Sequence, residues 1–98
     1  MKMDFTKEDL KTIFNEAKGY GKKYVGVIFE LPKHPGRELI INSKENFDCK
    51  EEYYMNTYDD DLINYRNQGV RIVRAFHFNK FSELESIDLS FNAQMICK

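Results

Sequence analysis

Three kinds of side chain in this sequence could do chemistry: two cysteines, Cys49 and Cys97; two histidines, His34 and His77; and the unbroken carboxylate run Asp59-Asp60-Asp61. Cys49 falls in the first turn of a predicted helix, where the helix dipole can lower a thiol pKa. A nucleophile also needs a base, and no histidine lies beside Cys49 in the sequence. The three aspartates could attract a divalent cation. They lack the alternating oxygen ligands, the central glycine and the distal glutamate of a calcium loop, so a solvated helix end is the better expectation. Carboxylates at a helix C-terminus work against its dipole, which fits a surface role. His34 sits in a turn and is expected to be solvated, whereas His77 sits within a strand and is expected to be partly buried and hydrogen-bonded. The segment Gly19-Tyr20-Gly21-Lys22-Lys23 has the composition of a phosphate loop. Its order is helix, loop, strand, the reverse of the strand-to-helix order a phosphate cradle needs. No catalytic residue, metal site or cofactor is assigned, and the chain is expected not to be an enzyme.

The elements that position these residues are organised around Lys23 to Leu31, the most apolar and strand-like run. Tyr24, Val25, Val27, Ile28 and Phe29 fall on both parities of the strand period, so both faces of this central strand are expected to be covered. Gly26 within it marks a bulge or a close approach by another backbone or ring, with packing preferred to a ligand. Before it, Thr6 caps a first helix with Asp9 at the third helical position, and Phe5 and Leu10 take the places of a hydrophobic staple. Leu10, Ile13, Phe14 and Ala17 follow at helical spacing, and Gly19 is the expected left-handed C-cap.

After the central strand, Pro32 to Gly36 is turn chemistry, and Arg37 to Asn42 returns as a second, antiparallel strand. A second helix, capped by Ser43 or Asn46, runs from about Phe47 to Tyr58, and the same stripe allows it to continue to Leu62. Phe47, Tyr54, Met55, Tyr58 and Leu62 form its buried face, and Cys49 and Tyr53 point away. Asn64 to Gly69 is a polar connection. Val70 to Phe78 is a third strand in which Val70, Ile72, Arg74 and Phe76 share one parity, and Arg71, Val73, Ala75 and His77 the other. A short helix from Ser82 to Ile87 or Leu89 follows. The tail from Ser90 to Lys98 is equally compatible with a last strand, a docking segment or a partner-binding tail.

The fold class is therefore α+β, one domain over residues 1–98, in the order α-β-β-α-β-α with a three-stranded, mainly antiparallel sheet of order 2-1-3. Helices on one face alone would leave the central strand half covered. Either the helices split across both faces or a partner covers one.

With Lys plus Arg at 15 and Asp plus Glu at 16, the chain has no global basic field to drive nonspecific nucleic-acid binding. Two distant cysteines make no disulfide framework, and no zinc spacing occurs. The N-terminus carries acids where a signal peptide is apolar, and no segment has the length of a membrane span. A cytoplasmic setting without membrane partners is expected.

The stretches KYVGV, IIN, ENFD, YYMNTYDDDL and VRIV, followed by a Phe-rich tail with Ser-Glu-Leu-Glu, resemble a group of small uncharacterised proteins associated with phages, prophages and mobile elements of Gram-positive bacteria. The resemblance spans nearly the whole chain. It implies a setting but no activity and no site residues.

Three functions fit these features. The leading one is a non-enzymatic protein-interaction module that modulates or blocks a host factor. Its contact residues would come from the tyrosine- and acid-rich stretch from Glu51 to Tyr65, namely Tyr53, Asp59, Asp60, Asp61 and Tyr65. In a phage setting the acids could imitate nucleic-acid phosphates. A second is nucleic-acid binding by a local patch of Lys22, Lys23, Arg71 and Arg74, drawn from a wider set with Lys18, Lys33, Arg37 and Arg66, and with Tyr20 or Tyr24 stacking on bases. A third is a small enzyme or a ligand-sequestering oligomer using His34, His77, Asp59 and Asp61. A homodimer is compatible with all three, because a three-stranded sheet leaves two edges.

Overall fold

The computed structural model describes residues 5–31, 37–86 and 93–97. The first helix, α1 (Lys7–Gly19), begins at a reciprocal capping box. Thr6 Oγ1 accepts the Asp9 N–H at 3.1 Å, and Asp9 Oδ2 accepts the Thr6 N–H at 3.0 Å. Phe5 packs against the cluster that contains Leu10, as a staple requires. The helix ends differently from expectation. Gly19 is the last helical residue, and the left-handed position belongs to Gly21, at φ 68°. Lys22 N–H reaches Ala17 O at 2.8 Å and Gly21 N–H reaches Lys18 O at 3.4 Å, the two bonds of a Schellman motif.

Three strands follow the expected order. β1 (Tyr24–Glu30) lies between β2 (Arg37–Ser43) and β3 (Arg71–Phe78), antiparallel to both. Between β2 and β3 comes α2 (Phe47–Thr57), entered through a single 3-10 turn. The tail adds a fourth strand, β4 (Ala93–Cys97), parallel to β2. The sheet order is thus β3-β1-β2-β4, and the β2 edge that a three-stranded sheet would have left open is paired.

Val25, Val27 and Phe29 point to one face, where they bury Leu10, Phe14 and Ala17 of α1 and Phe47 and Tyr54 of α2. Both helices pack on this face. Ile28, Leu39, Ile41 and Phe78 form a separate cluster on the other, each no more than 2% exposed. The helices therefore do not split across the two faces. Connection handedness assigns each link its face. β2, β3 and β4 all run antiparallel to β1, so the links β2-to-β3 and β3-to-β4 both join parallel strands, but they cross the sheet in opposite directions. If both obey the right-handed rule, they must use opposite faces. The first carries α2 on the first face. The second opens with a 3-10 turn, Phe81–Ser86, and Phe81 stacks on Tyr24 of the second face with ring centroids 4.9 Å apart.

Gly26 meets a ring, as one of the two expectations for it had it. The Phe76 side chain lies over it, leaving 2.9 Å between Phe76 Cζ and the place a Cβ would occupy. The bulge lies elsewhere. The β1–β3 register shifts between Ile28, opposite Arg74, and Phe29, opposite Ile72, so Val73 is the extra residue. This rephases β3 relative to strict alternation. Ile72 joins Ala75 on the helix face, while Val73 packs with Phe76 and Phe78 on the other.

Candidate interaction sites

The stretch expected to contact a partner folds as a helix followed by a tightly bonded turn. Along α2, Phe47 and Tyr54 are buried and Met55 is partly buried, while Cys49 is exposed and Tyr53 is 49% exposed. Burial raises the Tyr54 phenol pKa, against the opposing effect of the Asn42 amide beside it. Asn42 is itself fully buried and donates to Val25 O at 3.2 Å. Tyr58 follows the helix and is also buried, which raises its pKa against a hydrogen bond from Asn64.

The helix does not extend toward Leu62, because Asp59 competes for the backbone. Its Oδ1 accepts the N–H groups of Asp61 at 2.9 Å and Ile63 at 3.0 Å. This side chain-to-backbone bonding is the usual reason aspartate leaves a helix. Leu62 then takes φ 62° and is still fully buried. The aspartates accordingly form a turn and not the last turn of a helix. Asp59 is half-buried and occupied, whereas Asp60 and Asp61 are exposed.

The polar connection that follows is equally organised. Asn64 Oδ1 accepts the N–H of Arg66 at 2.8 Å and of Asn67 at 3.2 Å, and Tyr65 N–H donates to Thr57 O at 3.0 Å. This last bond fixes Tyr65, 63% exposed, beside the end of α2. Tyr53 and Tyr65 thereby line one groove of about 480 Å³, together with Asn56, Arg66 and Asn67. Lys50 Nζ stands 5.5 Å from the Tyr53 ring centroid. The walls are aromatic and amide-rich, the chemistry of a contact surface in which rigid rings anchor and amides adapt.

The predicted acids do not share this groove. Asp60 and Asp61 line a smaller cavity of about 290 Å³ with Thr6 and Arg71. An arginine from the expected basic patch thus faces the expected acidic run. The basic set as a whole is divided. Lys22 and Lys23 precede Tyr24, whereas Arg71 pairs with Glu30 at the far end of β1, about 20 Å away at strand rise. Arg74 is exposed opposite Ile28. Lys18 bridges Asp48 at 2.8 Å and Glu51 at 2.5 Å, which raises its pKa through those two hydrogen bonds, and Arg37 pairs with Glu30 at 3.0 Å. What joins Lys22 and Lys23 at their end of the sheet is a pair absent from the sequence-based patch, Lys44 after β2 and Lys80 after β3. Antiparallel pairing of the three strands was the available signal for both.

The residues of the enzyme or sequestration reading are not brought together. His77 Nε2 lies 3.2 Å from Glu16 Oε1, with the ring partly buried and its Nδ1 without a partner. It pairs with Val25, at the opposite end of β3 from the cavity that Asp61 lines. His34 and Lys33 lie outside the described residues. Among the described residues no three His, Cys, Asp or Glu side chains are grouped to hold a metal ion, and no helix is long and apolar enough to cross a membrane. Compared with known proteins, the chain matches no family model, no curated protein and no solved structure.

Proposed function

We propose that the protein is a non-enzymatic protein-interaction module whose contact surface is the Tyr53–Tyr65 groove. One observation carries this reading: two half- to two-thirds-exposed tyrosines, one from α2 and one from the following loop, converge on the same polar groove. Tyrosines with open faces supply large contact areas at small entropic cost and dominate interface energetics. Asn64, which also lines the groove, is occupied in holding the loop, so its role is to preform the surface. In the phage or prophage setting that the resemblance implies, such a module would modulate or block a host factor. The acids play the lesser part, since Asp59 is internally bonded and Asp60 and Asp61 face Arg71.

The test is a tagged pull-down from nuclease-treated lysate of the natural host, comparing the native chain with Tyr53→Ala/Tyr65→Ala. A protein bound by the first and lost by the second, with both variants folded by circular dichroism, supports the module. Retention of every bound protein by the double variant overturns the groove as its contact surface.

A further inference from the structure

The lysines gathered at one end of the sheet have no part in the groove. Lys22 and Lys23 precede β1, Lys44 follows β2, and Lys80 lies just beyond β3. Because β1 is antiparallel to both neighbours, these are one end of the sheet. Two hydrogen bonds tie the three points together. Lys44 N–H donates to Lys23 O at 2.9 Å, and Lys23 N–H donates to Asn79 Oδ1 at 3.0 Å. Lys23, Lys44 and Lys80 are exposed and Lys22 is half-buried.

Among the described residues, three of the acids at this end are bridged or hydrogen-bonded. Asp48 and Glu51 are bridged by Lys18. Glu83 Oε2 accepts the N–H groups of Asn79 at 3.0 Å and Lys80 at 2.9 Å, which holds its carboxyl pKa below the ordinary value, with Lys22 and Lys80 nearby. Glu45, beside Lys44, is exposed.

Among these lysines stands an aromatic platform. Phe81 is 49% exposed and stacks on Tyr24 at 4.9 Å and 26°, and Tyr24 stacks in turn on Phe78 at 5.3 Å and 28°. The ring is held by a stack beneath it and is half open to solvent. An open flat ring beside several ammonium groups is the combination that single-stranded nucleic acid recognises, with phosphates along the cations and a base on the ring. A duplex keeps its base faces stacked and could use only the lysines. An acidic protein segment offers charge but no repeating flat faces.

We propose that this sheet end is a binding site for single-stranded nucleic acid, with phosphates on Lys22, Lys23, Lys44 and Lys80 and a base stacked on Phe81. The site is independent of the groove, and the protein-interaction reading stands or falls separately.

The probe is a fluorescein-labelled oligo-dT of roughly 12 nucleotides, followed by anisotropy against the full chain. Four phosphate contacts predict a slope of log affinity against log salt of about −3, so affinity falls roughly fiftyfold between about 50 and 200 mM salt. Phe81→Ala should weaken binding about tenfold or more, while Phe81→Trp, which keeps a stacking face, retains it. Lys80→Glu should also weaken binding, and Lys11→Glu, on the exposed side of α1, should not. Absence of binding at the lower salt overturns the proposal. So does equal affinity for a duplex of the same length, or a folded Phe81→Ala variant with unchanged affinity.

Discussion

A Cβ at Gly26 would lie 2.9 Å from Phe76 Cζ and 3.1 Å from Leu39 Cδ1, closer than real side chains ordinarily tolerate. Gly26→Ala is therefore expected to destabilise the fold by about 1–3 kcal/mol through overpacking. Phe76→Leu, which withdraws the ring, should relieve part of that cost, so a denaturant double-mutant cycle should show the two changes to be non-additive. Strict additivity would mean that the ring does not define the space above the glycine. A second residue-scale prediction concerns Tyr54, whose phenol pKa burial raises in the folded state. The unfolded phenol ionises near its ordinary value of about 10 while the folded one remains protonated. The unfolded state then binds fewer protons, so stability is complete below pH of about 10 and falls as pH rises beyond it, by at most about 1.4 kcal/mol per unit for this one group. Tyr54→Phe, which removes the ionisable hydroxyl, should make the alkaline fall shallower. Urea titrations at pH of about 8 and 11 would check the sign, and an equally steep fall in the variant would assign the effect to other groups.

The end of α1 depends on which of two nearby glycines lets the chain turn back. Gly21 sits at φ 68°, so Gly21→Ala should cost about 1 kcal/mol, whereas Gly19, helical and with nothing near its Cβ position, should gain from alanine by a comparable amount. Opposite shifts in thermal midpoint for the two variants would confirm the assignment, and equal shifts would refute it. Local signals of this kind explain what the amino-acid order reveals and where it misleads. The Thr6–Asp9 box was legible because both partners lie within one turn of chain. The choice between Gly19 and Gly21 was not, since it depends on Lys22 N–H reaching Ala17 O. Leu62 kept the helical spacing of α2 and invited an extension, yet Asp59 bonded its own backbone and Leu62 reached the core from a left-handed turn. The outward direction of Tyr53 followed from helical periodicity. The arrival of Tyr65 beside it followed from a turn whose bonds no periodicity encodes. On β3, one extra residue, Val73, undid the alternation that had placed Ile72 with Phe76.

For the whole molecule, sheet order connects these pieces. A hairpin followed by a helical crossover placed β1 in the middle and gathered Lys22, Lys23, Lys44 and Lys80 at one end, a convergence invisible to a count that finds nearly equal numbers of acids and bases. The same order makes the last part of the chain structural. β4 pairs with β2 from Arg37 to Ile41, and Phe81 stacks on Tyr24 over the cluster of Ile28, Leu39, Ile41 and Phe78. A chain ending at Lys80 would lose both. Uncovering two of those side chains would cost about 3–6 kcal/mol at roughly 1.5–3 each, a large part of the about 5–15 kcal/mol that holds a domain of this size together. The truncated chain is expected to bind a hydrophobic dye, to self-associate through the freed β2 edge and to lose its cooperative melt. A monomeric truncated chain melting cooperatively at the native midpoint would show instead that the second face is closed without these residues.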